Sequence, residues 1–393
     1  MNLTNIDIWL FAAIGVLLIL RTSRAWVFHS IARAQNGLQD NTSDGTTSMP
    51  SVSIIITAHD QAGELRRNLP LLLAQKYDGR FEVIVVNDAS TDETEDVLKL
   101  TRQEHPNFYY TFMPDSARYV SHKKLAITIG AKAAKGDWLM LTDADCAPRS
   151  ENWLATMCSN CQSGIDIVCG PTVYRTEEKR RFSSHIAFER LFALVKQARR
   201  FLSGSKVYRA SGCNLLVRTS AFNANKGFMH NLQLKRGEDD LLVNELATKG
   251  NHVLELRPEA IVEQDEPIVY KIWKTDRVFY IETQRHFTRS ARRADKWLQA
   301  FHSAVLLLFV LTAIAGTAWT VVQQSWFFLP VYPLAMLLAW TVNGLSLRSS
   351  ARAMGITQPF GLLLPYYELW HIADEVKFRI QHKARHKDEF RRN

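Results

Sequence analysis

Two hydrophobic patterns share the first third of the chain. Short, continuous apolar runs, "SVSIIITAH" (51–59), "FEVIVVNDAS" (81–90), "FYYTFMP" (108–114) and "DWLMLTDAD" (137–145), alternate with stretches in which apolar positions recur at helical spacing. Runs without polar alternation read as strands buried on both faces. The intervening helices are read at "GELRRNLPLLLAQ" (63–75), with an interruption at Pro70, "TDETEDVLKLTRQEH" (91–105) and "HKKLAITIGAKAAKG" (122–136). Such a series predicts an α/β domain with a mostly parallel sheet and helices on both faces. In sheets of this kind ligands sit beyond the carboxyl ends of the strands. Asp88, Asp143 and Asp145 fall at those ends.

A different pattern brackets this domain. "IDIWLFAAIGVLLIL" (6–20) is apolar apart from Asp7, and Trp9, Trp26 and Phe28 extend it as interfacial anchors. Arg21 and Arg24 follow the run rather than precede it, which predicts an uncleaved anchor with its N-terminus outside. A buried core helix is the other reading of the same residues. Between 298 and 346 there is no Asp, Glu, Lys or Arg, which predicts two spans joined at "QQS" (323–325). Basic residues up to Lys296 on one side, and Arg348, Arg352 and the tail "KARHKDEFRRN" (383–393) on the other, place both flanks in the cytosol. "PFGLLLPYYELWHIADEVKF" (359–378) reads as an interfacial helix or an ordinary packed one. The polar stretch 35–50 reads as a linker. The predicted organisation is an anchor with a basic flank (1–34), the linker (35–50), a cytosolic catalytic domain (51–296), two transmembrane helices (297–347), and an interfacial helix with a basic tail (348–393). This describes a multi-pass protein of the inner (cytoplasmic) membrane whose catalytic domain faces the cytosol.

Composition narrows the partners. The chain has 393 residues, 47% of them hydrophobic, and a formal charge of +9. That charge concentrates beside the apolar spans, which favours a membrane-lipid surface and anionic small molecules over nucleic acid. The five cysteines, Cys146, Cys158, Cys161, Cys169 and Cys213, lack the spacing of a secreted framework and read as reduced thiols. Cys158-x-x-Cys161 is half of a zinc pattern without its second half. A dehalogenase-type phosphotransferase needs D-x-D-x-[TS], but Asp145 is followed by Cys146 and Ala147. No G-x-G-x-x-G follows a strand, so a dinucleotide fold is not expected.

Four acidic sites stand at loop positions: Asp60, Asp88, the pair Asp143/Asp145, and Glu238-Asp239-Asp240. Oxygen ligands on a D-x-D turn suit Mg²⁺ or Mn²⁺, and a cation held this way commonly serves a diphosphate. Each feature also has a structural reading. Asp88 could cap the next helix, and Lys123 and Lys124 could be a solvated helix face. The acids after Gly237 could open a helix and complement its dipole. Gly212 and Asn214, in "ASGCNLLVR" (210–218), could form a tight strand entry.

"VSIIITAHD", "EVIVVNDASTDET", "KKLAITIGAKAAKGDWLMLTDADCAP" and "GEDDLLVNELATKG" occur in the order and spacing of the family-two glycosyltransferases, which the chain resembles over roughly residues 51–290. The flanking spans look like the membrane-bound branch, which holds bacterial polysaccharide synthases and lipid glycosyltransferases. The resemblance implies a GT-A fold, Rossmann-like and with a mostly parallel sheet, and inverting sugar transfer. It places Thr57, Ala58 and Asp60 around the nucleotide base and ribose, and Asp88 against the uracil or ribose. Lys123 would face the phosphates, Asp143 would lie by the donor sugar and the metal, and Asp145 would ligate the metal. Asp239 would be the general base, with Glu238 and Asp240 as the other candidates in the triplet. Gly212 and Asn214 would stand on the acceptor side.

Two departures accompany these matches. His59-Asp60 replaces a Tyr-Asn or similar pair. The Q-x-x-R-W of processive synthases is missing, and "ETQRHFTR" (282–289) offers Arg285 or His286 for the diphosphate instead. The implied function is transfer of a hexosyl or N-acetylhexosaminyl group from a nucleotide-sugar, a UDP-sugar by the resemblance, to a lipid-linked or surface-glycan acceptor, assisted by Mg²⁺ or Mn²⁺. Partner subunits of an envelope glycan pathway would fit this role. The alternatives are a processive polysaccharide synthase and a catalytically degenerate nucleotide-sugar-binding membrane protein.

Overall fold

A computed structural model describes residues 5–39, 49–113, 121–175, 182–267, 269–385 and 387–390. Three helices open the chain: α1 (Asn5–Thr22), α2 (Arg24–Phe28) and α3 (Ser30–Gln39). Strict alternation follows through β1 (Val52–Ala58), α4 (Ala62–Leu73), β2 (Phe81–Asn87), α5 (Thr94–Glu104), β3 (Phe108–Phe112), α6 (His122–Ala133) and β4 (Trp138–Asp143). The second half is less regular. It runs β5 (Cys146–Pro148), α7 (Trp153–Cys158), β6 (Ile167–Cys169), β7 (Thr172–Arg175), α8 (Ser183–Leu202), β8 (Leu215–Arg218), α9 (Thr219–Ala224), α10 (Asp240–Leu246), β9 (His252–Leu254) and β10 (Val262–Asp265). Four helices end the chain: α11 (Tyr270–Arg285), α12 (Arg289–Val322), α13 (Val331–Ala353) and α14 (Leu364–Ala384).

The main sheet has the order β3-β2-β1-β4-β8-β6-β9. Its first four strands are parallel, and β8 runs antiparallel to both of its neighbours. Strand periodicity sends alternate residues of β1 to opposite cores. Val52, Ile54 and Ile56 pack with Leu65, Leu69 and Leu72 of α4 on one face. Ile55 joins Leu139, Leu141 and the α8 residues Phe188, Leu191 and Val195 on the other. Both faces are therefore covered, as the unbroken apolar runs require. A small sheet of order β5-β10-β7 stands beside the DAD turn.

Helix α4 runs through Pro70 rather than breaking there. The missing N–H removes one ladder bond three residues before the helix ends, where the loss is small. The linker expected at 35–50 is helical up to Gln39, and most of its remainder lies outside the described residues.

Three helical segments are long and apolar enough to cross a membrane: Asn5–Phe28, Trp297–Val322 and Trp326–Ala353. Ile14, Phe309, Ala313, Tyr332, Ala335 and Ala339 form their shared core. Asp7, the one acid in the first run, is buried there and accepts a hydrogen bond from the Trp319 indole at 3.0 Å. Helix α14 buries Tyr367, Glu368, His371 and Asp374, while Leu362, Leu363, Tyr366, Leu369, Val376 and Ile380 on and before it stay exposed. It is packed on one side, and its outer side carries these apolar residues together with Lys377 and Arg379.

Candidate active site

The carboxyl ends of β1 and β2 carry two interlocked loops. Asp60 and Ala89 both hold positive φ, +51° and +49°, a costly conformation outside glycine. The Asp60 carboxylate accepts from the Thr91 N–H at 2.6 Å and the Asp92 N–H at 3.3 Å, and the Thr91 bond leads in holding its pKa below the usual value. Asp60 thus ties the two loops together. Asp92, not Asp88, serves the start of α5, accepting from the Thr94 N–H at 3.0 Å. Asp88 instead faces His122, whose Nδ1 lies 2.9 and 3.0 Å from its two oxygens. The Asp88 backbone N–H donates to the Ala58 carbonyl at 2.8 Å, joining the end of β1 to the same loop. Thr57 pairs across the sheet with Val86 on one side and Asp143 on the other.

Asp143 ends β4 and accepts a hydrogen bond from the Lys123 ammonium at 2.8 Å. Lys123 also reaches Glu238 at 3.1 Å, so a single cation joins the DAD turn to the acidic triplet. Burial opposes that charge, but Asp143 and Glu238 outweigh it and hold the ammonium well above its ordinary pKa. Lys124 is wholly buried, donates to the Asn231 carbonyl at 2.8 Å, and is pulled down by burial to about 8. Neither lysine belongs to a solvated face.

Asp145 lies past the strand end and is differently placed. Burial, then the neighbouring Asp143, push its carboxyl up, against hydrogen bonds from the Cys146 thiol at 3.2 Å and the Gln264 amide at 3.1 Å. A half-buried carboxylate whose main electrostatic neighbour is another carboxylate fits a divalent cation as its counter-charge. Asp143, Cys146 and Cys213 bring ligand atoms within 4.8 Å of one another. The two thiols are soft donors, and Cys146 is held protonated by burial, so the hard oxygens of Asp143 and Asp145 are the better match to Mg²⁺ or Mn²⁺.

Gly237, at φ +94°, turns the chain into the triplet. Burial works against the Glu238 charge, but Lys123 and Arg236 bring its pKa down from 4.5 to about 2. Asp239 caps α10 by accepting from the Asp240 N–H at 2.7 Å, and its other oxygen accepts from the Gly212 N–H at 3.1 Å. Burial, then Glu238, raise its pKa. Asp240 points inward to the Ala210 N–H at 3.2 Å, and burial followed by Asp239 pushes its carboxyl well up. All three line one cavity, and Asp239 is the one of the three that is only partly buried.

That cavity, about 290 Å³, is lined by Lys123, Asp143, Gly212, Asp239, Arg209 and Arg236, among others. A second, of about 590 Å³, holds Asp145 and shares Arg190, Gln264, Arg277 and Tyr280 with the first. The structure therefore brings Asp143, Lys123, Glu238, Asp239, Asp240 and Gly212 around one space, with Asp145 next door. Asn214 does not join them. It is fully buried, accepting from the Trp153 indole at 3.1 Å and donating to the Pro171 and Ala260 carbonyls at 2.9 and 2.8 Å, a strand-entry role. Arg285 and His286 also stand apart, at the end of α11 beside Glu282 at 3.3 and 3.8 Å, and line neither cavity.

The sequence reading passed over the cationic wall of Arg190, Arg209, Arg236 and Arg277. It also missed the relay in which Arg190 donates to Gln264 at 2.6 Å and Gln264 to Asp145. Arg190, Arg209, Arg236, Gln264 and Arg277 come from five separate segments and share no linear signature.

Residues 53–225 match the family model described as Glycosyl transferase family 2. The chain is 25% identical over 229 residues to "Probable glycosyltransferase YdaM" of Bacillus subtilis, covering 57% of this chain and 53% of that protein. It is 27% identical over 127 residues to "Glycosyltransferase AglE" of Haloferax volcanii, covering 32% of this chain and 40% of that protein. The alignments thus span about half the length of these curated relatives or less. A solved structure described as mannosyltransferase PcManGT from Pyrobaculum calidifontis, in complex with GDP-Man and Mn²⁺, superposes with a TM-score of 0.52 at 17% identity. The superposition covers 94% of this chain and 98% of that one. Taken with the strand order and the loops at the carboxyl ends of β1, β2 and β4, these matches show that residues 53–225 are similar to glycosyl transferase family 2 and that the chain has a GT-A-like α/β fold.

Proposed function

We propose that the protein is a membrane-anchored inverting glycosyltransferase that moves a sugar from a nucleotide-sugar to an acceptor hydroxyl or phosphate held beside Asp239. The observation that carries this reading is the Asp143–Lys123–Glu238 link, which sets a D-x-D turn and a backbone-oriented carboxylate around one cavity. The loops 57–60 and 88–92 receive the base and ribose, with Asp88 and its His122 partner on the ribose side. Asp145 and Asp143 hold Mg²⁺ or Mn²⁺, and that ion, when bound, supplies Lewis-acid stabilisation of the leaving diphosphate. Lys123 faces the same phosphates and neutralises part of their charge. Asp239, fixed by the Gly212 N–H, accepts the acceptor proton so that attack on the anomeric carbon inverts configuration in one displacement.

The wall of Arg190, Arg209, Arg236 and Arg277 favours an acceptor that carries a phosphate or diphosphate. With three apolar helices in the chain, a lipid-linked acceptor at the cytosolic face of the inner membrane follows most directly, and a single transfer rather than processive synthesis. The neighbour held with GDP-Man and Mn²⁺ is in keeping with a nucleoside-diphosphate sugar and a divalent cation. The resemblance to the membrane-bound branch favours a UDP-sugar.

The test incubates detergent-solubilised protein with a panel of UDP- and GDP-sugars, Mn²⁺ or Mg²⁺, and polyprenyl phosphate, and reads released nucleoside diphosphate. Turnover with one donor supports the reading. No turnover with any donor, alongside intact nucleotide binding, would convert the assignment to a nucleotide-sugar-binding protein.

A further inference from the structure

The catalytic cavities leave one feature of the membrane region unused. Between α13 and the loop that follows it lies a groove of about 640 Å³, lined by Leu337, Trp340, Leu345, Ile356 and Leu362, with Arg348 and Arg352 at one end. Its floor is built by close approach. A Cβ on Gly344 would lie 2.6 Å from the Gly361 carbonyl, and one on Gly361 would lie 2.7 Å from the Gly344 carbonyl. The Trp340 indole donates to that same Gly361 carbonyl at 3.0 Å. Two glycines and one tryptophan thus clamp the loop on the helix and hold the groove open.

The groove changes character along its length. Leu337, Leu345 and Leu362 are exposed and present an apolar wall to the bilayer. Arg348 and Arg352 are four residues apart on one face of α13 and are exposed. Neither guanidinium makes a hydrogen bond or an ion pair with any described residue. They stand at the end of the span that the basic tail marks as cytosolic, at headgroup depth. An apolar slot ending in two adjacent unneutralised guanidiniums complements one molecular class, an acyl-chain lipid with an anionic phosphate headgroup.

We infer that this groove is a binding site for an anionic membrane phospholipid, its phosphate on Arg348 and Arg352 and one acyl chain along Leu337, Leu345 and Leu362. The site is separate from the acceptor cavity but touches the catalytic domain. The carbonyl of Met354, at the end of α13, accepts from Arg149 at 3.1 Å, and Arg149 pairs with Glu263 at 2.8 Å in the strand that also carries Gln264. A lipid seated here holds the small sheet, and with it the partner of Asp145, at a fixed height above the bilayer.

The inference rests on the reading of α13 as a membrane span, which alkaline carbonate extraction of whole membranes tests separately. The site itself is tested on full-length protein in nanodiscs and by native mass spectrometry, with phosphatidylglycerol against phosphatidylcholine as probes. Wild type should retain phosphatidylglycerol in preference to phosphatidylcholine. The R348Q/R352Q double variant should lose that preference on the order of ten- to thirtyfold, while R348K/R352K keeps most of it. Leu345→Trp, which fills the groove and leaves both charges, should also weaken retention. Nucleotide binding in the presence of Mn²⁺ should be the same in all variants, which shows that they fold. Equal retention of the two lipids by wild type, or undiminished phosphatidylglycerol retention by R348Q/R352Q, overturns the site. So does tighter retention of polyprenyl phosphate than of phosphatidylglycerol, which would make the groove an acceptor site.

Discussion

Asp239 and Glu238 are adjacent, yet their carboxyls are shifted in opposite directions. Lys123 sits on Glu238 and draws its pKa down despite burial, whereas Asp239, without that contact, is raised by burial and by Glu238 itself. A general base must be deprotonated, so kcat/KM should fall as pH drops through the Asp239 pKa. That acid limb should stand above the ordinary Asp value of about 3.9. Glu238→Gln removes the like charge, and the limb should move to lower pH in the kcat/KM profile. An unmoved limb would remove Asp239 from the role. Asp239→Asn should cost roughly 10²- to 10⁴-fold in kcat while leaving Mn²⁺-dependent nucleotide affinity unchanged by calorimetry. A merely structural Asp239 would lose both together.

At the scale of elements, the turn into α10 sets where these carboxylates stand. Gly237 holds φ +94°, and a Cβ there would lie 2.6 Å from the Thr283 methyl on α11. Gly237→Ala should therefore destabilise by about 1–2 kcal/mol in denaturant melts and lower kcat by displacing the triplet, with nucleotide affinity retained. Strands β1, β2 and β4 were readable in the sequence because a strand buried on both faces leaves an unbroken apolar run, and the loops at their ends fell where the runs stop. Strand β3 also reads as such a run, but it is the edge strand and leaves Tyr109 and Phe112 exposed. The second half was not readable in the same way. Strands β6, β8 and β9 are three or four residues long, and their place in the sheet depends on β8 inserting antiparallel between β4 and β6. No local pattern encodes that insertion. It is what buries Asn214 beside Trp153 and so removes it from the acceptor side. The same limit hid Arg190, Gln264 and Arg277, which α8, β10 and α11 bring together only once the fold is formed. Arg285 and His286 were suggested by chemistry at a plausible distance along the chain, but the end of α11 carries them past the cavity.

For the whole molecule, the question is how three apolar helices and an α/β domain keep one geometry. The seam holds an uneven charge set: Arg21 and Arg24, at the end of the first apolar segment, both pair with Glu368 of α14, the Arg24 contact at 2.7 Å. All three side chains are almost fully buried. Close by, His371 of α14 lies 2.6 Å from Glu189 of α8, linking the same helix to the α/β domain. Apolar surfaces alone would let α14 slide along its neighbours, since leucine packs against leucine in many registers. Two buried guanidiniums that must share one carboxylate tolerate a single register. The cost of breaking the set is correspondingly high, because a buried charge left without its partner is penalised more than the pair ever stabilised. Glu368→Gln should lower stability by about 3–5 kcal/mol, read as an earlier thermal transition in detergent. The triple change R21M/R24M/E368M, which removes the charges together, should restore most of that loss while leaving the register less defined. The signature of the looser register would be a normal melting temperature with reduced kcat. If Glu368→Gln melted like wild type, the seam would be held by packing, and the three charges would have no part in seating the α/β domain on the three apolar helices.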